Sequence, residues 1–351
     1  MISARLWFVL LLTGLLNAGA ARAQPVEPLR LRIVGGLANV NQYTRHEAPF
    51  WSRDLARLSG GAVSAEIVPF DQAGLRGQDM LRFIQQGAIP FGTALLSRSQ
   101  AIDAELAAAD LSGMNPDMAS LRRHMAAFRP RLERILRERH GVELLAVYVY
   151  PAQVTFCSRP FAGLTDLAGR RVRVGNASQA ELMRGLGAVP VTTEFAEIVS
   201  NVKAGNVECA LTGSMSGNTI GLHEVTTHID AKALNWGLSV FVANSAAWSA
   251  LPVPVRELLK RELPKVEAAI WDESDRETTE GVACNIGAST GQSGRKGRMV
   301  EAKSPPDDAQ RLREQLERTV LPAWLRRCGP GCVALWNEVM APVTVLQAMP
   351  Q

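Results

Sequence analysis

Arg173, Gly175 and Asn176 close a short run, Arg170-Arg171-Val172-Arg173-Val174-Gly175-Asn176, whose residue types suit the recognition of an anion. Val172 and Val174 alternate with arginines in the manner of a short strand. The run therefore delivers an arginine, then a glycine and an asparagine, to a strand's carboxyl end, where open α/β sheets bind their ligands. A guanidinium offers a planar fork that matches a carboxylate, and the neutral amide three residues on adds a hydrogen bond to the same group. The competing reading of such an arginine is a solvated surface position.

Catalytic chemistry finds less support. The chain contains no G-x-S-x-G and no H-E-x-x-H. His223 and His228 lie near Glu224 and Asp230, but their spacing fits no common metal motif, and the five histidines in 351 residues will produce such proximity by chance. Gly35-Gly36 lacks the spacing of a dinucleotide fingerprint. The run from Gly291 to Lys296 lacks the preceding apolar strand and the G-K-S/T ending of a phosphate loop. No metal and no cofactor is expected, and the chain reads as a binding protein rather than an enzyme.

The N-terminus has the pattern of a cleaved secretory signal over residues 1–23. Arg5 supplies the positive region, Leu6 to Leu16 the apolar region, and Ala21-Arg22-Ala23 the cleavage site before Gln24. The apolar run is short of the ~20 residues that a membrane span needs, so the exported protein is expected not to be membrane-embedded. Loss of Arg5 and Arg22 takes the formal charge from +4 to +2, and no basic cluster is interleaved with aromatics, which argues against nucleic acid. The remaining chain of roughly 330 residues has the length of two domains. In an oxidising compartment the five cysteines, Cys157, Cys209, Cys284, Cys328 and Cys332, are disulfide candidates first. An odd number leaves at least one thiol free or paired outside the chain.

The elements that must position Arg173 are legible as periodicity. Leu29, Leu31 and Ile33 alternate with Arg30 and Arg32 as a half-buried strand, which runs into the loop Gly35 to Gln42. A helix over 44–58, a strand over 63–68 and a helix ending near Gln86 come next. Residues 115–140 read as a helical, arginine-rich surface stretch, and 144–149 as an apolar strand buried on both faces. Further strands are expected over 207–212 and 238–242, and helices over 254–279 and 307–324. The glycine- and serine-rich stretch 287–306 reads as a surface loop.

The motifs between these elements carry a resemblance. Asp166-Leu167-Ala168-Gly169, Arg173-Val174, Leu186-Gly187-Ala188-Val189-Pro190, Phe195-Ala196-Glu197 and Gly205-Asn206-Val207-Glu208 succeed one another in that order. This order resembles the second-lobe core of the periplasmic solute-binding proteins of TRAP transporters (tripartite ATP-independent periplasmic systems, DctP-type). The resemblance implies an α/β, two-lobed periplasmic binding protein fold, with crossover strands and a ligand cleft between the lobes. Residues 24–150 would form the first lobe, completed by roughly 238–270, and 151–237 the second, completed by C-terminal helices over roughly 271–351.

The function so implied is periplasmic capture of a small organic acid and its delivery to the small and large membrane subunits of a TRAP permease. A periplasmic lyase or dehydratase, or a ligand-sensing module, on the same fold is the alternative. Within the resemblance Arg173 and Asn176 hold the ligand carboxylate, with Gly175 in place of the common proline. Phe195 lies against the ligand's apolar body, Thr212 adds a polar contact just after a strand, and Trp236 walls the cleft where the chain turns back. Asn39, with Asn41 and Gln42, is the first lobe's candidate. Many family members carry a second arginine on the crossover, where this chain has Gln153, which favours a monocarboxylate over sialic acids or dicarboxylates. Strands carrying Cys157 and Cys209 tend to be neighbours in such folds, so a disulfide between them is expected, and Cys284 with Cys328 or Cys332 is left open.

Overall fold

The computed structural model describes residues 28–288 and 294–349. The expected signal over 1–23 and Gly291 of the glycine-rich run lie outside the described residues. The strands, in chain order, are β1 (Leu29–Gly35), β2 (Val63–Pro69), β3 (Phe91–Leu95), β4 (Val142–Val149), β5 (Gln153–Cys157), β6 (Arg171–Val174), β7 (Val189–Thr192), β8 (Cys209–Gly213), β9 (His228–Asn235), β10 (Leu238–Asn244) and β11 (Val300–Glu301). They form a five-stranded sheet in the order β2-β1-β3-β10-β4 and a six-stranded sheet in the order β11-β9-β5-β8-β6-β7. Each sheet is the centre of one lobe. The returning strand β10 enters the first sheet antiparallel to both β3 and β4, as its position after the crossover requires.

Four helices support the lobes and their junction: α1 (Met118–His140), α2 (Ala177–Gly185), α3 (Ser214–Thr219) and α4 (Val253–Ile286). The Asp117 carboxylate accepts the Ser120 N–H to start α1, and Gly141, at φ 60°, ends it in the left-handed region. Expected as a surface stretch, α1 in fact buries Met118, Leu121, Met125, Phe128, Leu132 and Ile135 on one face. The three- and four-residue spacing of those apolar side chains drives this face into the core, and the arginines occupy the opposite one. The C-terminal helical stretches, Asp308–Gln315 onward, pack on both α1 and α2.

Two crossovers join the sheets, Tyr150-Pro151-Ala152 between β4 and β5 and Trp236-Gly237 between β9 and β10. They are tied together, because the Tyr150 N–H donates to the Gly237 carbonyl at 3.0 Å. Gly237 has φ 106°, which a side chain would strain. Helix α4 is bonded along its length to the first sheet, the first crossover and α3. Trp271 Nε1 and Ser274 Oγ donate to the Val147 and Val149 carbonyls of β4, each at 2.8 Å. Thr278 Oγ1 then accepts the Ala152 N–H of the crossover at 3.1 Å, and Asn285 Nδ2 donates to the Ser214 carbonyl of α3 at 2.9 Å.

The structure corrects one expectation and settles one pairing left open. The stretch 287–306 contains β11, which pairs in parallel with β9, and the buried Met299, so part of it belongs to the second sheet's edge. Cys284 pairs with neither Cys328 nor Cys332. Those two bond each other, and Cys284 is a buried free thiol in α4. The Cys157–Cys209 bridge forms between residues directly opposite on antiparallel β5 and β8, with Cα atoms 4.1 Å apart. That is the narrow separation of a non-hydrogen-bonded cross-strand pair.

Breaking a bridge across 52 residues by Cys157→Ser with Cys209→Ser should cost about 4 kcal/mol on the chain-entropy account, read as a lower urea midpoint. Thiol alkylation without reductant should label one cysteine, Cys284, and only once the protein is unfolded. Gly281 of α4 lies so close to the backbone of Ser214 and Met215 in α3 that a Cβ there would meet main-chain atoms. Gly281→Ala should therefore destabilise by at least about 1–3 kcal/mol in the same assay, in spite of alanine's better helix propensity.

Candidate functional site

Strand β6 places Arg173 at the heart of a cleft between the two sheets. Pairing with β7 and β8 on either side leaves the Arg173 side chain 4% exposed. Its Nη1 donates to the Leu211 carbonyl of β8 at 2.8 Å and its Nη2 to the Thr193 carbonyl at 3.0 Å. Nε is buried with no partner among the described residues. Burial, and next the neighbouring charge of Arg98, pull this guanidinium down to about 9, so it stays a cation at neutral pH. Among the described residues no carboxylate bonds it. The result is a buried cation held by main-chain carbonyls and lacking an anion.

The cleft around it encloses about 80 Å³, small beside the ~300 Å³ at which pockets for drug-sized ligands begin. The second lobe contributes Gln153, Asn176, Phe195 and Thr212 to its wall, together with Arg173. Asn176 accepts the Gln179 N–H at 2.9 Å and so caps α2, which leaves its amide nitrogen without a partner among the described residues. Phe195 is half-buried, and Gln153 donates to the Pro151 carbonyl at 3.0 Å.

Two predicted contacts lie elsewhere. Trp236 is 2% exposed and outside the cleft wall; its indole N–H donates to the Asn115 carbonyl at 3.1 Å, which makes it a core residue of the crossover. Asn39 is exposed, and its carbonyl accepts from the Thr219 hydroxyl at 2.9 Å. Asn41 and Gln42 bond Glu277 and Glu47 instead. The same loop reaches the cleft through the apolar Leu37 and Val40. Polar residues of a glycine-rich loop satisfy turns and caps, whereas the apolar ones fill the cavity.

Several cleft residues were not foreseen. Arg98, on the segment after β3, brings a guanidinium from the first lobe. Its Nη2 donates to the Thr193 carbonyl at 3.0 Å and to Glu194 Oε2 at 3.2 Å, across the cleft. Position was the available signal, since Arg98 comes after the carboxyl end of a first-lobe strand as Arg173 sits near that of a second-lobe strand. The cleft therefore has two arginines even with glutamine at 153. Tyr150 walls the cleft from the first crossover and is buried.

A chain of hydrogen bonds leads from the site to the crossover. The Gly175 N–H donates to Gln179 Oε1 at 2.7 Å, Gln179 Nε2 to Asn235 Oδ1 at 2.9 Å, and Asn235 Nδ2 to Asp110 Oδ2 at 3.3 Å. Asp110 also accepts the N–H groups of Trp236 and Gly237, at 3.1 and 2.7 Å. Burial raises the Asp110 carboxyl to about 6 against the opposing effect of these donors.

No metal-holding group of three or more His, Cys, Asp or Glu residues occurs among the described residues. No described helix is long and apolar enough to cross a membrane. Residues 35–288 match the family described as bacterial extracellular solute-binding protein, family 7, or DctP. The chain belongs to this family. No curated protein matches this DctP-family chain at a significant level. Among solved structures it is similar to DctP7, a Bordetella pertussis extracytoplasmic solute receptor binding pyroglutamic acid. There the identity is 19% over 90% of this chain and 99% of the other, with a TM-score of 0.76. A TRAP periplasmic solute-binding protein of Shewanella oneidensis with bound succinate is 16% identical over 91% and 99% of the two chains, with a TM-score of 0.75. One from Pseudomonas aeruginosa with bound L-malate is 18% identical over 85% and 99%, with a TM-score of 0.70. At these identities the likeness is one of fold.

Removing the carboxylate that anchors the second crossover should loosen the lobe junction of this DctP-family protein. Asp110→Ala leaves the Trp236 and Gly237 N–H groups and the Asn235 amide without their acceptor. The expected loss is about 2–4 kcal/mol of unfolding free energy in urea titration. A loss below about 0.5 kcal/mol would show that water replaces the carboxylate at no cost.

Proposed function

We propose that this protein captures a small organic acid in the periplasm, with the acid's carboxylate on Arg173, and delivers it to a TRAP-type pair of membrane subunits for ion-gradient-driven uptake. The observation that carries this reading is the buried Arg173 guanidinium, bonded only to carbonyls and with an idle Nε. Burying a cation is costly unless an anion or a full set of acceptors meets it, and a carboxylate supplies the missing charge in the matching geometry. Asn176, whose amide nitrogen is unengaged among the described residues, Thr212 and Phe195 stand on the same wall. The N-terminus of α2, capped by Asn176, adds its favourable dipole for an anion. Pyroglutamate, succinate and L-malate in the similar structures support the solute class. Export by the N-terminal signal would place the protein where such solutes arrive.

Thermal-shift screening against carboxylic acids would find the solute, since a ligand of the folded form raises Tm with its concentration. Titration calorimetry of variants then tests the anchor. Arg173→Ala should lose ~30-fold to several thousand-fold in affinity, the cost of removing one partner of a desolvated charge pair. Arg173→Lys should lose much of it too, because an ammonium lacks the fork. Arg170 is half-buried and Arg171 exposed, and both bond main-chain carbonyls, of Asp166, Pro160, Asn206 and Gly205, outside the cleft wall, so their alanine variants should bind as the wild type does. Unchanged binding by folded Arg173→Ala would remove the anchor.

A further inference from the structure

The cleft wall carries three charged side chains, Arg98, Arg173 and Glu194. We propose that Glu194 sets the charge selectivity of the cleft: it holds Arg98 as its own ion pair, leaves Arg173 alone for the solute, and so restricts the site to monocarboxylates. This rests on the carboxylate reading above and deepens it.

The geometry makes Glu194 a built part of the site. It opens the short helical turn Phe195–Glu197 as one half of a capping box. Its side chain accepts the Glu197 N–H, and the Glu197 carboxylate accepts the Glu194 N–H at 3.3 Å. That reciprocal pair fixes where the Glu194 carboxylate points. Arg98 is fixed from the opposite lobe, its N–H donating to the Leu95 carbonyl at 3.1 Å, while the Leu96 N–H donates to the Leu238 carbonyl at 3.0 Å. Both ends of the Arg98–Glu194 pair are thus set by backbone structure before a solute enters, and the pair spans the cleft at 3.2 Å.

The two arginines converge on one acceptor, the Thr193 carbonyl, at 3.0 Å each. Each charge acts on the others: Arg98 pulls the Arg173 guanidinium down, and Glu194 and Glu197 push it back up. A solute with one carboxylate neutralises Arg173 and leaves the Arg98–Glu194 pair intact. A second carboxylate in this small cleft has two choices. It can take Arg98 from Glu194 and leave that carboxylate unpaired beside it, or it can lie against Glu194 with no cation of its own. Either arrangement sets like charges together, which lowers affinity for the dianion. The Glu194 side chain is 37% exposed, so water screens the repulsion and the discrimination is sized at about tenfold rather than thousands.

Glu194→Gln removes the charge and keeps an amide oxygen that can still accept from Arg98 or from the Glu197 N–H. Titration calorimetry would compare wild type and Glu194→Gln against matched acids: butanoate with succinate, 2-hydroxybutanoate with L-malate, and pyroglutamate as a further monoanion. Wild type should prefer the monoanion of a matched pair, and the variant should shift the ratio toward the dianion by about tenfold or more. Arg98→Gln, which leaves Glu194 as an unpaired anion in the cleft, should weaken every acid that the wild type binds. A wild type that already prefers succinate or L-malate overturns the proposal without any variant. So does a ratio that moves by less than about threefold in folded Glu194→Gln. In both cases the carboxylate anchor stands if Arg173→Ala still loses binding. Failure of every acid to bind wild type overturns this inference together with the reading it rests on.

Discussion

A guanidinium taken out of water and given only carbonyl oxygens is the constraint around which this cleft is arranged. Arg173 reaches its position because β6 lies between β7 and β8, so that the Leu211 and Thr193 carbonyls stand on either side of its side chain. Carbonyl dipoles reduce the cost of burying the cation without cancelling its charge. What remains is a site with a fixed positive centre, oriented donors and little room, in which an anion is worth more than it would be in water.

The same constraint explains why the lobes meet where they do. Thr193 and Glu194 come directly after β7, and Arg98 comes after β3 in the other sheet, so the contact across the cleft forms beside Arg173. Bringing two guanidiniums to one carbonyl is unfavourable in itself. Glu194 sets an anion beside one of them, and the proposed solute carboxylate would do the same for the other. Away from the cleft, the backbone bond between the crossovers and the side-chain bonds of α4 hold the lobes to one another.

What the sequence made legible depends on how local each signal is. Arg173 and Asn176 are readable because strand alternation, a glycine and an N-cap residue all lie within seven positions. Cys157 and Cys209 became a pair only through the strand order that the resemblance supplied, and the structure sets them directly opposite. The sequence hid what depends on contacts between distant segments. Arg98 and Glu194 are 96 residues apart and meet only once both sheets exist. Trp236 failed as a cleft residue because a large amphipathic ring can equally satisfy its one donor in the core, and the Asn115 carbonyl was there to take it. The arginine-rich look of α1 concealed its buried face because charge counts ignore helical phase.

Gln153 shows how a correct local observation can mislead. The absence of an arginine at that position is real, yet the cleft still holds two guanidiniums, because the second arrives from the first lobe at Arg98. Counting cations by motif position therefore misjudges the site, and so does counting arginines in the cleft without their partners. What a solute meets is the charge left over after internal pairs are made. Arg98 is bonded to Glu194 and Arg173, among the described residues, to no acid, so the three side chains together carry the net charge of one guanidinium. The sequence-based preference for a monocarboxylate rested on a missing arginine at 153, whereas the cleft has a second arginine, Arg98, whose internal anion is Glu194.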